Sequence, residues 1–491
     1  MGTEITSERF GDRDYARFAD RLEQCLIDLG RLLARPGFGA GPVTVGAELE
    51  LFLVDGAAQP LPRNEVVRAL AADPRVALEL NRFNLELNSS PVRLAGYPFT
   101  ALAGELGVLL DRVGAAARAH QGRVALTGVL PTLSQAHLDG GAVTDTARYR
   151  ALGQGLKRLR RGPFRISIAG AEPLELTSDD IALEGATTSF QIHLRVAPED
   201  FNRVYNAAQL ATAPVLAVAG NSPTFLGHRL WEETRVALFK QSVEDRDRRG
   251  PRRRPPRTAL GAGWLRDGAL ELFTDSVRRH EPLLPLVSDA PPGDPPRLDE
   301  LRLHQGTVWP WNRVVYDPAA GGHLRIEMRA LPAGPTMTDM LANAAFLIGL
   351  TLGLAGRDQR WTYTLPFERA DHGFYRAAQH GLAAELSWPD GDQVRTVPAA
   401  ALVAELLPAA RQGLADAGVA AAEADRLLGV IGARVATGQT GAAWQRAALA
   451  AAERGRSREQ ALAVMLGQYL ACAATGQPVH TWPHPDVTCG R

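Results

Sequence analysis

Polar and apolar residues alternate in four short segments of the chain, and this pattern predicts four β-strands. The segments cover residues 45–53, 83–88, 190–196 and 324–330. Side chains leave a strand on alternate sides, so residues two apart share a face and lie roughly 6.8 Å from each other. Each strand is therefore expected to have one apolar face that packs on a core and one polar face that does not.

The polar faces of the four segments share an unusual composition, which is acidic, amide-rich and arginine-rich and contains no lysine. They carry Glu48 and Glu50; Asn84, Glu86 and Asn88; Gln191, His193 and Arg195; and Arg325, Glu327 and Arg329. A solvated sheet face would explain any one of these strands, but the four together weaken that explanation. Crowded carboxylates repel one another unless a cation lies between them, and Mg²⁺ is bound by carboxylates, water and substrate phosphates. Arg329 would add a fixed positive charge for a transferring phosphoryl group, so the pattern indicates phosphoryl chemistry.

Helical periodicity predicts cover for this sheet. Apolar residues recur at helical spacing in residues 15–33, 100–120, 199–219 and 336–354. The second of these helices is expected to pack behind the sheet, and the fourth has small residues that allow close packing. Beyond residue 380 the chain becomes rich in Ala and Leu. We therefore predict an α+β catalytic domain over residues 1–380 and a helical C-terminal subdomain over 381–491, packed on it.

Composition narrows the class of protein. The 491 residues contain 54 Lys plus Arg and 54 Asp plus Glu, so no overall field favours nucleic acid or a membrane as partner. Three cysteines, Cys25, Cys472 and Cys489, are too few and too scattered for a disulfide framework or a zinc site. No leader-like N-terminus and no uninterrupted apolar run of transmembrane length is present. These features predict a cytoplasmic enzyme that acts on small molecules. They leave its oligomeric state open.

Five segments, taken in order, resemble the glutamate-cysteine ligase and carboxylate-amine ligase family, whose fold is related to that of glutamine synthetase. They are GAELELFLVD, FNLELNSSP, SFQIHLRV, AGNSP followed by Arg235, and RIEMRALPAGPT, and they lie within residues 43–350. The resemblance implies a curved antiparallel sheet shaped as a funnel, of the glutamine synthetase and guanidino-kinase type, with helices on its apolar face. It also implies ATP and Mg²⁺ as cofactors.

The resemblance assigns roles to individual residues. Matched positions imply metal ligands at Glu48, Glu50, Glu79, Glu86 and Glu327. Arg329 matches the arginine at the phosphoryl group, and Arg235 resembles a substrate- or phosphate-binding arginine. Gln191, His193 and Arg313 are assigned to the nucleotide side of the site.

Two further segments prompt hypotheses. The loop that contains Trp309, Trp311 and Arg313 leads directly into the fourth strand, so we expect it to shape the amino-acid pocket. The arginine-rich segment 244–257 has two interpretations: a solvated connection, which its composition favours, or a mobile lid that meets nucleotide phosphates.

The function predicted from the sequence is ATP- and Mg²⁺-dependent ligation of a carboxylate to an amine through an acyl phosphate. The substrates most consistent with the resemblance are the γ-carboxylate of glutamate and the amine of cysteine, the reaction that supplies γ-glutamylcysteine for glutathione biosynthesis. Three alternatives stay open at this point: another amine, a guanidino-type phosphotransferase, and a nucleotide-binding regulator without turnover. No Gly-x-x-x-x-Gly-Lys-Ser/Thr loop favours a P-loop enzyme instead.

Overall fold

The structure is a computed structural model that describes residues 5, 7–246, 255–291 and 293–485. Its strands are β1 Thr44–Val54, β2 Val76–Leu78, β3 Asn84–Asn88, β4 Val92–Arg93, β5 Arg123–Ala125, β6 Phe164–Ile168, β7 Leu174–Ser178, β8 Phe190–Val196, β9 Thr224–Phe225, β10 His228–Arg229, β11 Asn312–Asp317, β12 His323–Met328, β13 Glu385–Asp390 and β14 Gln393–Pro398. Its α-helices are α1 Asp12–Leu33, α2 Asn64–Ala71, α3 Pro98–Arg118, α4 Ala147–Arg160, α5 Phe201–Ala219, α6 Thr234–Ser242, α7 Ala269–Arg279, α8 Asp299–Gln305, α9 Met337–Ala355, α10 Trp361–Thr364, α11 Phe367–His380, α12 Ala399–Asp416, α13 Ala421–Thr437, α14 Gly441–Ala452 and α15 Arg458–Ala473. The four predicted strands and four predicted helices are all present.

The main sheet has eight strands and is curved. Its order is β11-β12-β8-β1-β3-β2, with β4 and β5 also paired to β1. Every pairing in it is antiparallel. The long strand β1 is central because its partners pair with different parts of it on both edges. All four predicted segments therefore lie in one sheet, as expected from their alternation.

Helices α3, α5 and α9 cover the apolar side of the sheet. Helix α3 contacts β1 and β3, α5 contacts β11, and α9 contacts β8. The apolar side chains of the strands, such as Leu49, Leu85 and Ile192, are fully buried. The predicted helical cover of the core face is confirmed.

Helix α9 is the most apolar of these elements. Among the described residues it is the one helix long and apolar enough to cross a membrane, yet 78% of its most apolar stretch is buried inside the protein. Thr336 caps its N-terminus by accepting a hydrogen bond from the Asp339 backbone N–H. Such burial is typical of a core helix.

Small residues bring α9 and α12 into backbone contact. A Cβ added at Gly349 would overlap the backbone carbonyl of Ala410, and one added at Gly413 would overlap the backbone of Gly349 and Gly353. The predicted close packing of residues 336–354 is confirmed, and α12 is the partner.

The region after residue 380 differs from the prediction in one respect, because it begins with a β-hairpin. Strands β13 and β14 pair around Gly391, which has φ +59°. Leu386, Trp388 and Val397 point into the core while their neighbours are exposed or half-buried. The Gly-Asp turn at residues 391–392, between two alternating segments, is a hairpin signal that the Ala- and Leu-rich composition concealed. Helices α12–α15 follow as predicted, whereas the division of the chain at residue 380 stays a prediction.

Candidate active site

The strand register places the predicted polar faces side by side. Glu50 lies opposite Glu86, and Glu48 lies between Asn88 and Gln191. On the other half of the sheet His193 lies opposite Glu327, which in turn lies opposite Arg313. Directly opposed residues of antiparallel strands share a face, with Cβ atoms roughly 4.5–5.5 Å apart. The charged sides of β1, β3, β8, β11 and β12 therefore form one concave surface.

Three glutamates on this surface come together as a cluster, which we call the acidic triad. Carboxylate oxygens of Glu50, Glu79 and Glu86 all lie within 4.8 Å of one another. Glu50 and Glu86 face each other from β1 and β3, and Glu79 immediately follows β2, the strand paired to β3. In the part of the chain that the structure describes, no other three acidic, His or Cys side chains bring their ligand atoms this close together.

The electrostatics of the triad fit a divalent cation. Burial and then the charges of Glu86 and Glu50 raise the pKa of Glu79 well above its ordinary value. Burial and the charge of Glu48 raise the pKa of Glu86 to about 7, and burial raises that of Glu50. A cation between these oxygens would remove the repulsion and favour ionised carboxylates. The predicted ligands Glu50, Glu79 and Glu86 are thus brought together.

Glu48 lies beside His193. Nε2 of His193 is 3.3 Å from Oε1 of Glu48, and Nδ1 of His193 accepts a hydrogen bond of 2.9 Å from Nε of Arg325. Because an arginine only donates, Nδ1 must be unprotonated, and the ring proton of a neutral His193 lies on Nε2, facing Glu48. His193 is therefore oriented by Arg325 and presents a donor toward the first strand.

Glu327 is held by two arginines. Nη2 of Arg313 donates to Oε2 of Glu327 at 2.9 Å, and Nη1 of Arg329 donates to Oε1. Nη1 of Arg329 also donates to Oε1 of Gln191. Burial opposes ionisation of Glu327, but the charges of Arg313 and Arg329 outweigh it and lower the pKa to about 2. Glu327, Gln191, Arg313 and Arg329 therefore form one network next to the Glu48 and His193 pair.

Arg235 is also buried on this surface and is firmly fixed. Its Nε donates to Oε1 of Glu233 at 3.0 Å, and its Nη2 donates to the carbonyl oxygen of Ala330. The guanidinium carbon lies 5.4 Å from the centre of the Trp311 ring. Glu233 in turn accepts a hydrogen bond from the backbone N–H of Asn221, in the AGNSP segment. Two of the arginine's nitrogens are thus committed to the protein, and Nη1 makes no hydrogen bond within the described ranges.

A narrow pocket connects these groups at the centre of the concave face; we call it the central pocket. Twelve residues line it: Glu50, Glu79, Asn84, Glu184, Gly185, Thr187, Thr188, Ser189, Arg235, Phe239, Trp311 and Arg329. Trp311, from the loop expected to shape the amino-acid pocket, lies in the wall of the central pocket, and the role of that loop stays a prediction. Trp309 instead packs edge-on against Phe239 in the core.

Two wider cavities flank the centre. One, of about 400 Å³, lies beside Glu48 and His193 and is also lined by Arg195 and Arg325. The other, of about 370 Å³, lies beside Glu79 and Glu86 and is also lined by Arg148 and Tyr149. The concave face therefore offers room for one ligand on each side of the triad and Arg329.

Sequence reasoning missed Glu184 and Glu233. Glu184 lies in the 3₁₀ segment Ile181–Ala186, just before β8, where no alternation marks a face. Burial and the charge of Glu50 raise its pKa to about 7. Asn84 was placed on the polar face but given no role. Glu184 could have been recognised as a single carboxylate among apolar and small residues in the segment that leads into strand β8.

The arginine-rich segment is described only at its ends. Asp245 and Arg257 form a fully buried ion pair, with Nε of Arg257 2.6 Å from Oδ2 of Asp245. The interpretation of residues 244–257 as a solvated connection is therefore wrong at both ends. Residues 247–254, on which the lid hypothesis depends, lie outside the described residues, as does Cys489.

Comparison with solved structures shows the same fold in known ligases. A glutamate–cysteine ligase from Francisella tularensis, solved with AMP, matches with a TM-score of 0.56 and 11% identity over 91% of each chain. A bifunctional glutathione synthetase from Pasteurella multocida matches with a TM-score of 0.51 and 13% identity, over 92% of this chain and 55% of the other. No curated protein sequence matches the chain. At sequence identities this low, the structural similarity shows the fold alone.

The sequence itself carries the family assignment. The profile of glutamate-cysteine ligase family 2 matches residues 44–463, which continues the resemblance past residue 350 into the C-terminal helices. This range contains the acidic triad, the Glu327 network and the central pocket. The chain belongs to glutamate-cysteine ligase family 2 and is an ATP-dependent carboxylate-amine ligase.

Proposed function

We propose that the enzyme joins the γ-carboxylate of glutamate to the amine of cysteine. The observation that carries the proposal is the partly buried acidic triad next to Arg329 on the concave face of the sheet. Family membership supports the reaction class, and it is our proposal that the donor is glutamate and the acceptor cysteine.

The chemistry requires the groups that are present. A carboxylate becomes a good electrophile when its oxygen attacks the γ-phosphorus of ATP, which forms an acyl phosphate and releases ADP. The amine nitrogen then attacks the acyl carbon, an amide bond forms, inorganic phosphate leaves and the amine loses a proton. Arg329 would neutralise charge on the transferring phosphoryl group, and the pocket would keep water from the acyl phosphate.

We assign Mg²⁺ to the acidic triad and to Glu48 with Glu327. The ion would neutralise phosphate charge and hold the phosphoryl oxygens. The triad fits this role because three carboxylates converge there, one buried and two partly buried. Glu48 and Glu327 are paired with His193 and with arginines, so a metal there would compete with those partners.

We place ATP in the cavity beside Glu48 and His193. That cavity is lined by Arg195 and Arg325 as well as His193, a set of positive or donor groups suited to phosphates. Gln191 and Arg313 contact the same network through Arg329 and Glu327. The central pocket and the cavity beside Glu79 then take the donor and the amine. We further propose a reducing cytoplasm as the compartment, since Cys25 is a thiol buried in the core and not part of a disulfide.

The test is a substrate panel. Phosphate release from ATP and Mg²⁺ is measured with glutamate and with each amino acid and common amine in turn, and products are identified by mass spectrometry. A signal that requires glutamate and cysteine together, with a γ-linked dipeptide, supports the proposal. Transfer of the phosphoryl group to a stable product would indicate a phosphotransferase. ATP binding without ADP formation would indicate a regulator.

A further inference from the structure

The carboxylate of Glu184 differs from the other carboxylates of the central pocket. Glu50 accepts from Ser189 and Gln191, Glu79 from the backbone N–H of Leu80, and Glu86 from Asn88. Glu184 lies in the same pocket wall but outside the acidic triad, and its side chain makes no hydrogen bond or ion pair in the described part of the chain. Its oxygens are therefore not held by any of these groups, and only the charges of Arg329 and Arg148 act favourably on it.

A second group in this pocket is also without a partner. Asn84 is only 2% exposed, yet neither its Nδ2 nor its Oδ1 has a hydrogen-bond partner among the residues that the structure describes. The alternation of β3 places Asn84 on the same face as Glu86, and its side chain lines the central pocket. Buried polar atoms are nearly always paired in proteins, so an orphaned amide at a pocket wall indicates a missing ligand group.

The charges around the pocket define the chemistry of that ligand. Arg235 and Arg329 line the pocket beside Glu184, and each can receive a carboxylate. Glu184 and the Oδ1 of Asn84 are acceptors and suit an ammonium group. One ammonium and two carboxylates are the charged groups of an acidic α-amino acid.

We propose that Glu184 and Asn84 bind the α-ammonium group of the carboxylate donor, and so make the enzyme select an amino acid over a plain dicarboxylic acid. The inference rests on the proposed function, because it concerns the donor of that reaction. A donor without the ammonium group leaves Glu184 unpaired in the closed pocket. Sites built to pair a polar substrate group reject analogues that lack it.

The discriminating pair of substrates is glutamate and glutarate, which differ by the amino group. The wild-type enzyme is expected to use glutarate about 10- to 100-fold less efficiently than glutamate, judged by kcat/KM for ADP formation. Glu184→Gln keeps the shape and removes the charge. It should lower kcat/KM for glutamate about 10- to 100-fold and leave that for glutarate within about threefold. Glu184→Asp should recover part of the preference, and Glu175→Gln, on the exposed side of β7, is the matched control that should retain all of it.

Three results would overturn the assignment. An equal loss with glutamate and glutarate would show that Glu184 does not read the ammonium group. A rise in KM for the acceptor amine alone would indicate that Glu184 binds the acceptor and not the donor. A shift in the Mg²⁺ dependence without a change in donor preference would make it a metal ligand.

Binding measurements separate this inference from the proposed reaction. Calorimetric titration of glutamate and of glutarate is carried out with Mg²⁺ and a non-hydrolysable ATP analogue present. Tighter binding of glutamate to the wild type, with equal binding of both acids to Glu184→Gln, supports the ammonium site even if no amine gives turnover. Equal binding of both acids to the wild type rejects it. Asn84→Ser should weaken glutamate binding and not glutarate binding. For a variant whose unfolding temperature differs from that of the wild type, only the ratio of its affinities for glutamate and glutarate is compared.

Discussion

Glu50 and Glu86 lie directly opposite each other on neighbouring antiparallel strands, where like charges destabilise a sheet. Glu86 is buried and Glu50 partly buried, and Glu79 adds a third carboxylate within 4.8 Å. Side chains in this arrangement oppose folding of the metal-free protein. The sheet therefore stores, at its centre, an electrostatic cost that a divalent cation would remove.

Removal of Glu86 should stabilise the metal-free protein. Its pKa is raised from 4.5 to about 7 in the folded state, so between these pH values the folded state binds more protons than the unfolded state. Stability from this group is therefore lost as pH rises from about 4.5 to 7. In urea unfolding with EDTA, Glu86→Gln should exceed the wild type by about 1–3 kcal/mol at pH 8 and match it near pH 4.5. Parallel pH curves for the two proteins would contradict the prediction.

Mg²⁺ should reverse the order of stability of the wild type and Glu86→Gln. A ligand that binds only the folded state raises its stability by mass action. We expect added Mg²⁺ to raise the wild-type unfolding temperature at pH 8 more than at pH 5, and to raise that of Glu86→Gln much less. Scanning calorimetry across a Mg²⁺ series measures both effects, and an equal gain in both proteins would remove Glu86 from the metal site.

Glu327→Gln should have the opposite effect on stability. Glu327 is 3% exposed and pairs with Arg313 and Arg329, so neutralising it leaves two partly buried guanidinium groups without that counter-charge. Breaking a buried pair by removing one partner costs about 3–5 kcal/mol. We expect a loss of about 2–4 kcal/mol in urea unfolding, together with lower turnover. A stabilised variant would show that repulsion from Glu48 dominates at this position.

Arg329→Lys should reduce turnover more than ATP binding. Lysine keeps the charge but loses the planar guanidinium group, whose Nη1 donates to both Gln191 and Glu327. If the arginine acts on the transferring phosphoryl group, kcat should fall about 100-fold with the KM for ATP changed less than about threefold. Steady-state kinetics with ATP as the varied substrate provides the comparison. Equal losses in both constants would make Arg329 a ground-state binder.

Gly413→Ala should destabilise the helical layer. A Cβ there meets the backbone of Gly349 and Gly353 in α9, so the two helices must separate. Overpacking a close contact costs about 1–3 kcal/mol. Gly429→Ala is the matched control, because Gly429 lies exposed within α13 with open space at its Cβ, and it should be neutral or stabilise by up to about 1 kcal/mol. Similar unfolding curves for the two variants would argue against close contact of α9 and α12.

Local patterns predicted a large part of this site. The two-residue period of β1, β3, β8 and β12 placed Glu48, Glu50, Glu86, Gln191 and Glu327 on polar faces, and these faces meet as expected. Arg313 pairs with Glu327 in the strand next to it. Alternation and helical periodicity are properties of a few adjacent residues, which is why they could be read without the fold.

Other features depend on contacts between distant parts of the chain. Whether Glu50 or Glu48 would face Glu86 depends on strand register, and a shift of two residues would preserve every pattern in the sequence. The hairpin β13–β14 had a turn signal, but composition favoured helix there. The orphaned Asn84 is recognised only when every buried partner is known.

The sequence by itself determined which residues could share a face, because strand and helix periods follow from backbone geometry. It also determined the family, because five ordered segments carry the resemblance. Only the tertiary structure decided which carboxylates form the acidic triad, that Glu327 is held by arginines, and that Glu184 enters the central pocket uncommitted. Those outcomes depend on the register of the sheet and on loops packed against it, and so on interactions between residues far apart in the chain.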